Sequence, residues 1–178
     1  LDLTGFIQLL DSRDSQYVYA PGAHSRPEQL AEPHDNDMRH ISGRLARQGG
    51  DIDIVLSSGM TWHEVGSTYD ATLGAESFGL ADPQLLEDER QYRVWDSELR
   101  LSGKAGSWDW LFGLSHVRAR QNFRWVLSSP ASELVIDDDR RRTADSAAFG
   151  DLTIPLGGEF RLNLGARLFH SSVTETRL

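Results

Sequence analysis

The strongest constraint on this chain is a strand–turn–strand pattern that occurs three times. Arg44 to Ile54, Arg100 to Trp110 and Asp151 to Leu162 align without gaps. Each sets a small pair, Gly49-Gly50, Ala105-Gly106 or Gly157-Gly158, between two extended runs. A hairpin of two to four residues needs positive φ at that point, which glycine adopts without steric penalty. After each turn the sequence alternates. Ile52, Ile54, Leu56, Ser58, Met60 and Trp62 oppose Asp51, Asp53, Val55, Ser57 and Thr61. Trp108, Trp110, Phe112 and Leu114 oppose Asp109, Gly113 and Ser115, with Leu111 out of phase. Phe160, Leu162, Leu164, Ala166 and Leu168 oppose Arg161, Asn163, Gly165 and Arg167. A helix would space its apolar residues three or four apart, so period two selects strands with one apolar face.

Each apolar stripe lasts about nine residues, which suits a tilted strand crossing a hydrocarbon layer of about 30 Å. Beyond it polarity rises, at His63-Glu64, at Arg118 and Arg120, and at His170-Ser171-Ser172. Long polar segments separate the hairpins: Ser12–Asp37 with Pro21-Gly22, Pro27 and Pro33, Gly66–Arg90 with Gly74, Gly79 and Pro83, and Leu127–Arg142 with Ser128-Ser129-Pro130. Short turns at one end and long loops at the other are the plan of outer-membrane barrels, and loops this long are uncommon in compact soluble domains. With Leu1–Leu10 as the first strand, about seven strands alternate in direction. The expectation is an all-β, antiparallel up-and-down meander forming part of a transmembrane β-barrel, with residues 1–178 as a single partial-barrel domain. Trp108, Trp110 and Phe160 just after the turns, and Trp62 and Trp125 near the far ends, are expected in aromatic girdles.

Composition narrows the functional classes. The 27 acidic residues against 18 Lys+Arg give a net charge of -9, which disfavours nucleic acid as a partner. Lys104 is the only lysine among the cations, and the sequence offers no physical reason for that bias. The lack of cysteine excludes disulfides and thiolate metal sites. A mean hydropathy of -0.44 is what alternating strands average to, and no run approaches the ~18 apolar residues of a membrane helix. The chain opens at Leu1 without a charged-then-apolar leader, so any signal peptide is expected to be cleaved or to lie outside this sequence.

Candidate chemistry is sparse. His24 and His34 share a segment with Asp35 and Asp37 and could ligate a divalent ion, but no close ligand spacing accompanies them, and solvated loop histidines are expected. His63, His116 and His170 are expected at the outer boundary. Asp137-Asp138-Asp139 lacks the glycine and terminal glutamate of a calcium loop, and with Arg140-Arg141-Arg142 is expected to form a self-neutralising charged loop. Asp53, Asp96, Glu98, Arg100, Asp109, Asp151, Arg161 and Arg167 fall on the polar faces. They would line a barrel lumen or merely meet solvent in a soluble fold, and do not by themselves define a binding site. No nucleophile–base spacing or phosphate loop is present, so no enzyme, cofactor or metal is expected.

Ser97-Glu98-Leu99-Arg100-Leu101-Ser102, followed by Asp109-Trp110-Leu111-Phe112-Gly113, resembles the mid-barrel hairpin of TonB-dependent receptors. Ala147-Ala148-Phe149-Gly150 and Leu162-Asn163-Leu164-Gly165-Ala166-Arg167 are similar to a neighbouring hairpin of that family, and Thr4-Gly5-Phe6 with Asp11-Ser12-Arg13 is similar in style. The resemblance implies a 22-stranded barrel with a plug, in the outer membrane of a Gram-negative bacterium. Such a receptor imports a scarce nutrient, a ferric siderophore, vitamin B12 or a carbohydrate, with energy delivered through TonB. No plug, energy-coupling box or C-terminal strand ending in an aromatic residue is recognisable, so the chain is expected to be a fragment. Its open edges would then self-associate if the piece were isolated. The rival reading is a soluble or secreted β-sandwich that binds through its loops and buries the same stripes in a dry core.

Overall fold

A computed structural model describes residues 1–14, 21–25, 30–74 and 78–178. Among them run the strands β1 (Asp2–Gln8), β2 (Asp11–Ser12), β3 (His34–Arg47), β4 (Ile52–Asp70), β5 (Leu85–Ala105), β6 (Trp108–Ser129), β7 (Ser132–Gly157) and β8 (Phe160–Arg177). They form one antiparallel sheet in the order β1-β3-β4-β5-β6-β7-β8, with β2 pairing beside β1 on β3. The seven expected strands are the main path, and the two-residue β2 is the eighth. The three short turns fall as the repeats require, with Gly49, Gly106, Gly157 and Gly158 all at positive φ.

Two of the expected loops shrink and one disappears. Strand β4 continues to Asp70 and β5 starts at Leu85, which leaves residues 71–84 as the connection. Leu127–Arg142 is not a loop: β6 extends to Ser129, Pro130 and Ala131 make the turn, and β7 begins at Ser132. Charge and Ser-Pro content suggested a loop there. Ladder pairing keeps the backbone satisfied whatever the side chains are, so a polar stretch can remain a strand. A bulge between Trp125 and Val126 accommodates the extra residue. Pro27 lies outside the described residues.

Register carries the apolar positions onto one face. Leu56, Leu99, Leu114, Ala148 and Leu168 stand in one row across five strands, as do Ile54, Leu101, Phe112, Gly150 and Ala166. This face is the uncovered one: Leu56, Phe112, Leu114, Leu164 and Leu168 are all exposed. Along β4 the opposite, polar face is half-buried or buried while Leu56, Ser58, Trp62 and Glu64 are exposed. Curling a sheet about its polar side crowds those side chains and splays the apolar ones. Among the described residues only Val126, Leu127 and Ala147 are buried apolar side chains. A sandwich of this size would bury dozens. The rival reading fails on that point.

The slope of the stripe gives the strand tilt. At its upper limit the stripe descends from Trp62 on β4 to Leu168 on β8, while Trp62's own register row reaches Thr174. At its lower limit the row of Ile52 reaches Leu164, yet the stripe continues to Phe160. With a rise of about 3.4 Å per residue and about 4.8 Å between strands, these offsets correspond to a tilt of about 35–45°, the range of barrel walls in membranes.

Candidate functional site

The eight charged residues assigned to the polar face all lie there. Asp53 and Asp151 share a row with Ser102 and Leu111, and Arg100 and Arg167 share the next with Val55 and Phe149. Leu111, out of phase in the sequence, does point to this polar side, opposite Asp151. Asp109 and Arg161 sit at the turn end, where Lys104 Nζ is 3.7 Å from Asp109. Most cations on this face have a carboxylate partner. Arg44 meets Asp2 at 3.2 Å, Arg100 meets Glu98 at 2.6 Å and Arg141 meets Glu175 at 2.8 Å. Arg167 instead stands over the Phe149 ring, 5.6 Å from its centroid.

Towards the outer ends of β4–β7 the same face becomes aromatic and cationic. Arg90 grips Asp88 with two hydrogen bonds, Nε to Oδ1 at 2.8 Å and Nη2 to Oδ2 at 2.6 Å. Hydrogen bonding to Asp88, opposed by partial burial, raises the Arg90 pKa above the ordinary arginine value. The guanidinium lies 5.3 Å from the Phe123 centroid, and Phe123 in turn packs on Trp125 at 5.2 Å. Beside them His63 stacks on Tyr92 at 5.6 Å and hydrogen-bonds Asn36. Trp125 Nε1 and Asp139 Oδ1 are buried without a hydrogen-bond partner, the one a donor and the other an acceptor. A guanidinium fixed beside stacked rings offers a flat small molecule a surface to pack on.

Several expected positions move. Trp125 belongs to this cluster and not to the girdle, since its β6 register places it opposite Asp88 and Asp137. Trp95 takes the girdle place instead, exposed on the apolar face beside Met60 and donating to Ser58 Oγ at 3.0 Å. His63 faces the polar side, whereas His116 and His170 share an outward row with Ser146. His34 Nδ1 bonds Ser67 Oγ at 2.8 Å, and Asp35 points to the other face. Asp137-Asp138-Asp139 does not neutralise Arg140-Arg141-Arg142: both runs lie along β7, and the ion pairs they form reach across to the neighbouring strands. Asp137 pairs with Arg177 at 2.9 Å and Asp138 with Arg124 at 3.9 Å.

Above the cluster a polar network binds the two long connections together. Asp70 accepts from the Leu30 and Thr72 amides and from the Thr72 hydroxyl, while Glu32 accepts from the Asp70 amide. Thr72 Oγ1 then accepts from the Gln84 amide at 3.1 Å. Glu32, Thr72 and Gln84 are buried in this knot.

A tilted antiparallel sheet with one uncovered apolar face and one charged, largely paired face is the arrangement found in the wall of a transmembrane β-barrel. The solved structures agree. The chain is similar to the ferric yersiniabactin uptake receptor FyuA from Yersinia pestis, at 19% identity and a TM-score of 0.60 over 81% of this chain and 21% of that one. It is also similar to the ferric citrate transporter FecA in its unliganded form, at 13% identity and a TM-score of 0.61 over 82% of this chain and 22% of that one. Its fold is therefore that of a part of these two structures, and it spans about a fifth of their length. No family model and no curated protein matches the sequence.

Proposed function

We propose that this chain is part of the barrel wall of a TonB-dependent receptor in a Gram-negative outer membrane, and that the parent imports a scarce nutrient as a small chelate or similar ligand. The observation that carries this reading is the inversion of the two faces: apolar side chains uncovered, charged ones turned inward and paired. Water would penalise that arrangement by about 25 cal/mol per Å² of uncovered apolar surface, and hydrocarbon removes the penalty. The outer polar end, with Arg90, Tyr92, Phe123 and Trp125, is the ligand-contacting part of this segment. Transport needs no acid–base pair, so this is a wall and a recognition surface, not a catalyst. The plug and TonB are partners of the parent, and the outer edges of β1 and β8 continue into its further strands.

The test is made on the parent protein in its own cells. Spin labels at Leu56 and Leu114 should contact lipid and labels at Ser57 and Ser115 water, and deletion of the gene should abolish uptake of one nutrient. Labels at Leu56 and Leu114 shielded from lipid, in a protein that stays monomeric without detergent, would refute the reading.

A further inference from the structure

Charges on the outward face above the apolar stripe are sorted by sign. Asp35 and Asp37 on β3 and Glu64 on β4 form an acidic half, in which Asp37 and Glu64 are direct cross-strand partners. Arg93 on β5 with Arg118 and Arg120 on β6 form a basic half, in which Arg93 and Arg120 are direct partners. Like charges directly opposite destabilise a sheet, and here both halves contain such a pair. Neither half is neutralised from within. Among the described residues Arg93, Arg118 and Arg120 form no ion pair, nor do Asp35 and Glu64, and Asp37 has only Arg39, at 4.0 Å. On the polar face, by contrast, Arg44, Arg90, Arg100, Arg141 and Arg177 each meet a carboxylate.

The sign changes between β4 and β5, above Trp62 and Trp95. Two shallow grooves meet there: one runs from Trp62 to Asp37 and Glu64, the other from Trp62 and Trp95 to Arg118 and Arg120. With the slope of the stripe included, a rise of about 3.4 Å per residue and a tilt of about 40° put both halves within about 10 Å of the hydrocarbon boundary. Acids and bases therefore stand at one level. A half-turn about a membrane normal placed at the sign change sets β3 opposite β6 and β4 opposite β5. Asp35 and Asp37 of one copy then meet Arg118 and Arg120 of the other, and Glu64 meets Arg93. Below them Trp62 of each copy meets Trp95 of the other. The surface is the complement of its own two-fold image, the condition for an isologous contact. Glu89, higher on β5, has Arg124 of its own sheet as cross-strand partner and lies above this contact.

We infer that the parent protein pairs with a second copy of itself in the membrane through this face, across a two-fold axis between β4 and β5. The charges choose the partner and fix its register, because a lateral slip sets like against like. The apolar stripe beneath carries no such information, since lipid covers it as well as protein does. The inference rests on the barrel reading above, which supplies the bilayer and the common orientation of the copies.

Two tagged copies of the parent are expressed together in its own cells, one with Asp35→Cys and the other with Arg120→Cys. A bifunctional thiol reagent spanning about 10 Å, the spacing of packed sheets, should join them. When both copies carry the same cysteine, the axis holds those cysteines three strands apart, about 15–20 Å, and the yield should fall about tenfold or more. Charge reversal gives a second reading. R93E/R118E/R120E alone and D35R/D37R/E64R alone should each be monomeric in neutral detergent, and the two mixed should pair. Equal yields from mixed and matched cysteines, or none from either, overturn the inference and leave the barrel reading intact. Pairing of the purified unaltered protein that needs an added anionic lipid overturns it in favour of lipid held between the arginines. A parent recovered outside the outer membrane refutes the barrel reading, and the inference with it. The cysteine comparison stands even if neither reversal folds.

Discussion

The phenyl ring of Phe149 occupies the space that a side chain at its cross-strand partner Gly113 would need. Arg167, the partner of Phe149 on the next strand, stands over the same ring. Glycine, ring and guanidinium thus form one stack across β6, β7 and β8, with glycine present because the ring approaches the backbone. Gly113→Val forces the ring away and breaks the stack, at a cost of about 1–3 kcal/mol. A fall in the thermal midpoint of the reconstituted protein checks this; an unchanged midpoint would show that the ring can relocate freely.

Adjacent residues on opposite faces should respond oppositely to charge. Leu56 lies near the middle of the outward stripe on β4, and Ser57 faces the polar side. Leu56→Arg should lose about 2–4 kcal/mol of stability in a bilayer, and Ser57→Arg much less. Urea unfolding in lipid vesicles measures both, and equal penalties would mean that lipid does not cover the apolar face.

Asp88 is buried, and Arg90 supplies two of its hydrogen bonds. Arg90→Ala alone strands that carboxylate, so the double variant D88A/R90A should be more stable than R90A. Denaturant midpoints of the two variants decide the point. Uptake of the nutrient should fall in both, because the cation over Phe123 is gone from each.

The knot around Asp70 can be loosened without touching the barrel. Asp70→Ala removes the acceptor for the Leu30 and Thr72 amides. Exchange at those amides should quicken by about tenfold or more, for the loss of about 1.5 kcal/mol of local protection. Core amides of β5 and β6 should exchange as before, and a general acceleration would show that the knot supports the whole sheet.

How much was legible depended on the range of the interaction. Period-two alternation and glycine turns act within a few residues, so the three hairpins and the identity of each face could be read from residues 44–62, 100–114 and 151–168. Where composition stood in for pattern the reading failed. Ser128-Ser129-Pro130 and the Asp-Arg run suggested a loop, yet a tight turn at Pro130 and Ala131 continues both strands. An assignment by distance from a turn puts Trp125 with the outward aromatics and omits Trp95, because it ignores which face each residue takes.

The sequence by itself determined that these strands have one apolar and one charged face, since side-chain direction alternates with the chain and needs no partner. Only the tertiary structure decided the rest: that the apolar face is the uncovered one, that the stripe runs obliquely, that carboxylates neutralise most of the inward arginines, and that Arg93, Arg120 and Arg142 on the outward face stand in a row. Apart from Asp88–Arg90 and Glu98–Arg100, which sit on one strand, these relationships join residues of different strands, and their juxtaposition is fixed by inter-strand register, a property that no single stretch of chain contains.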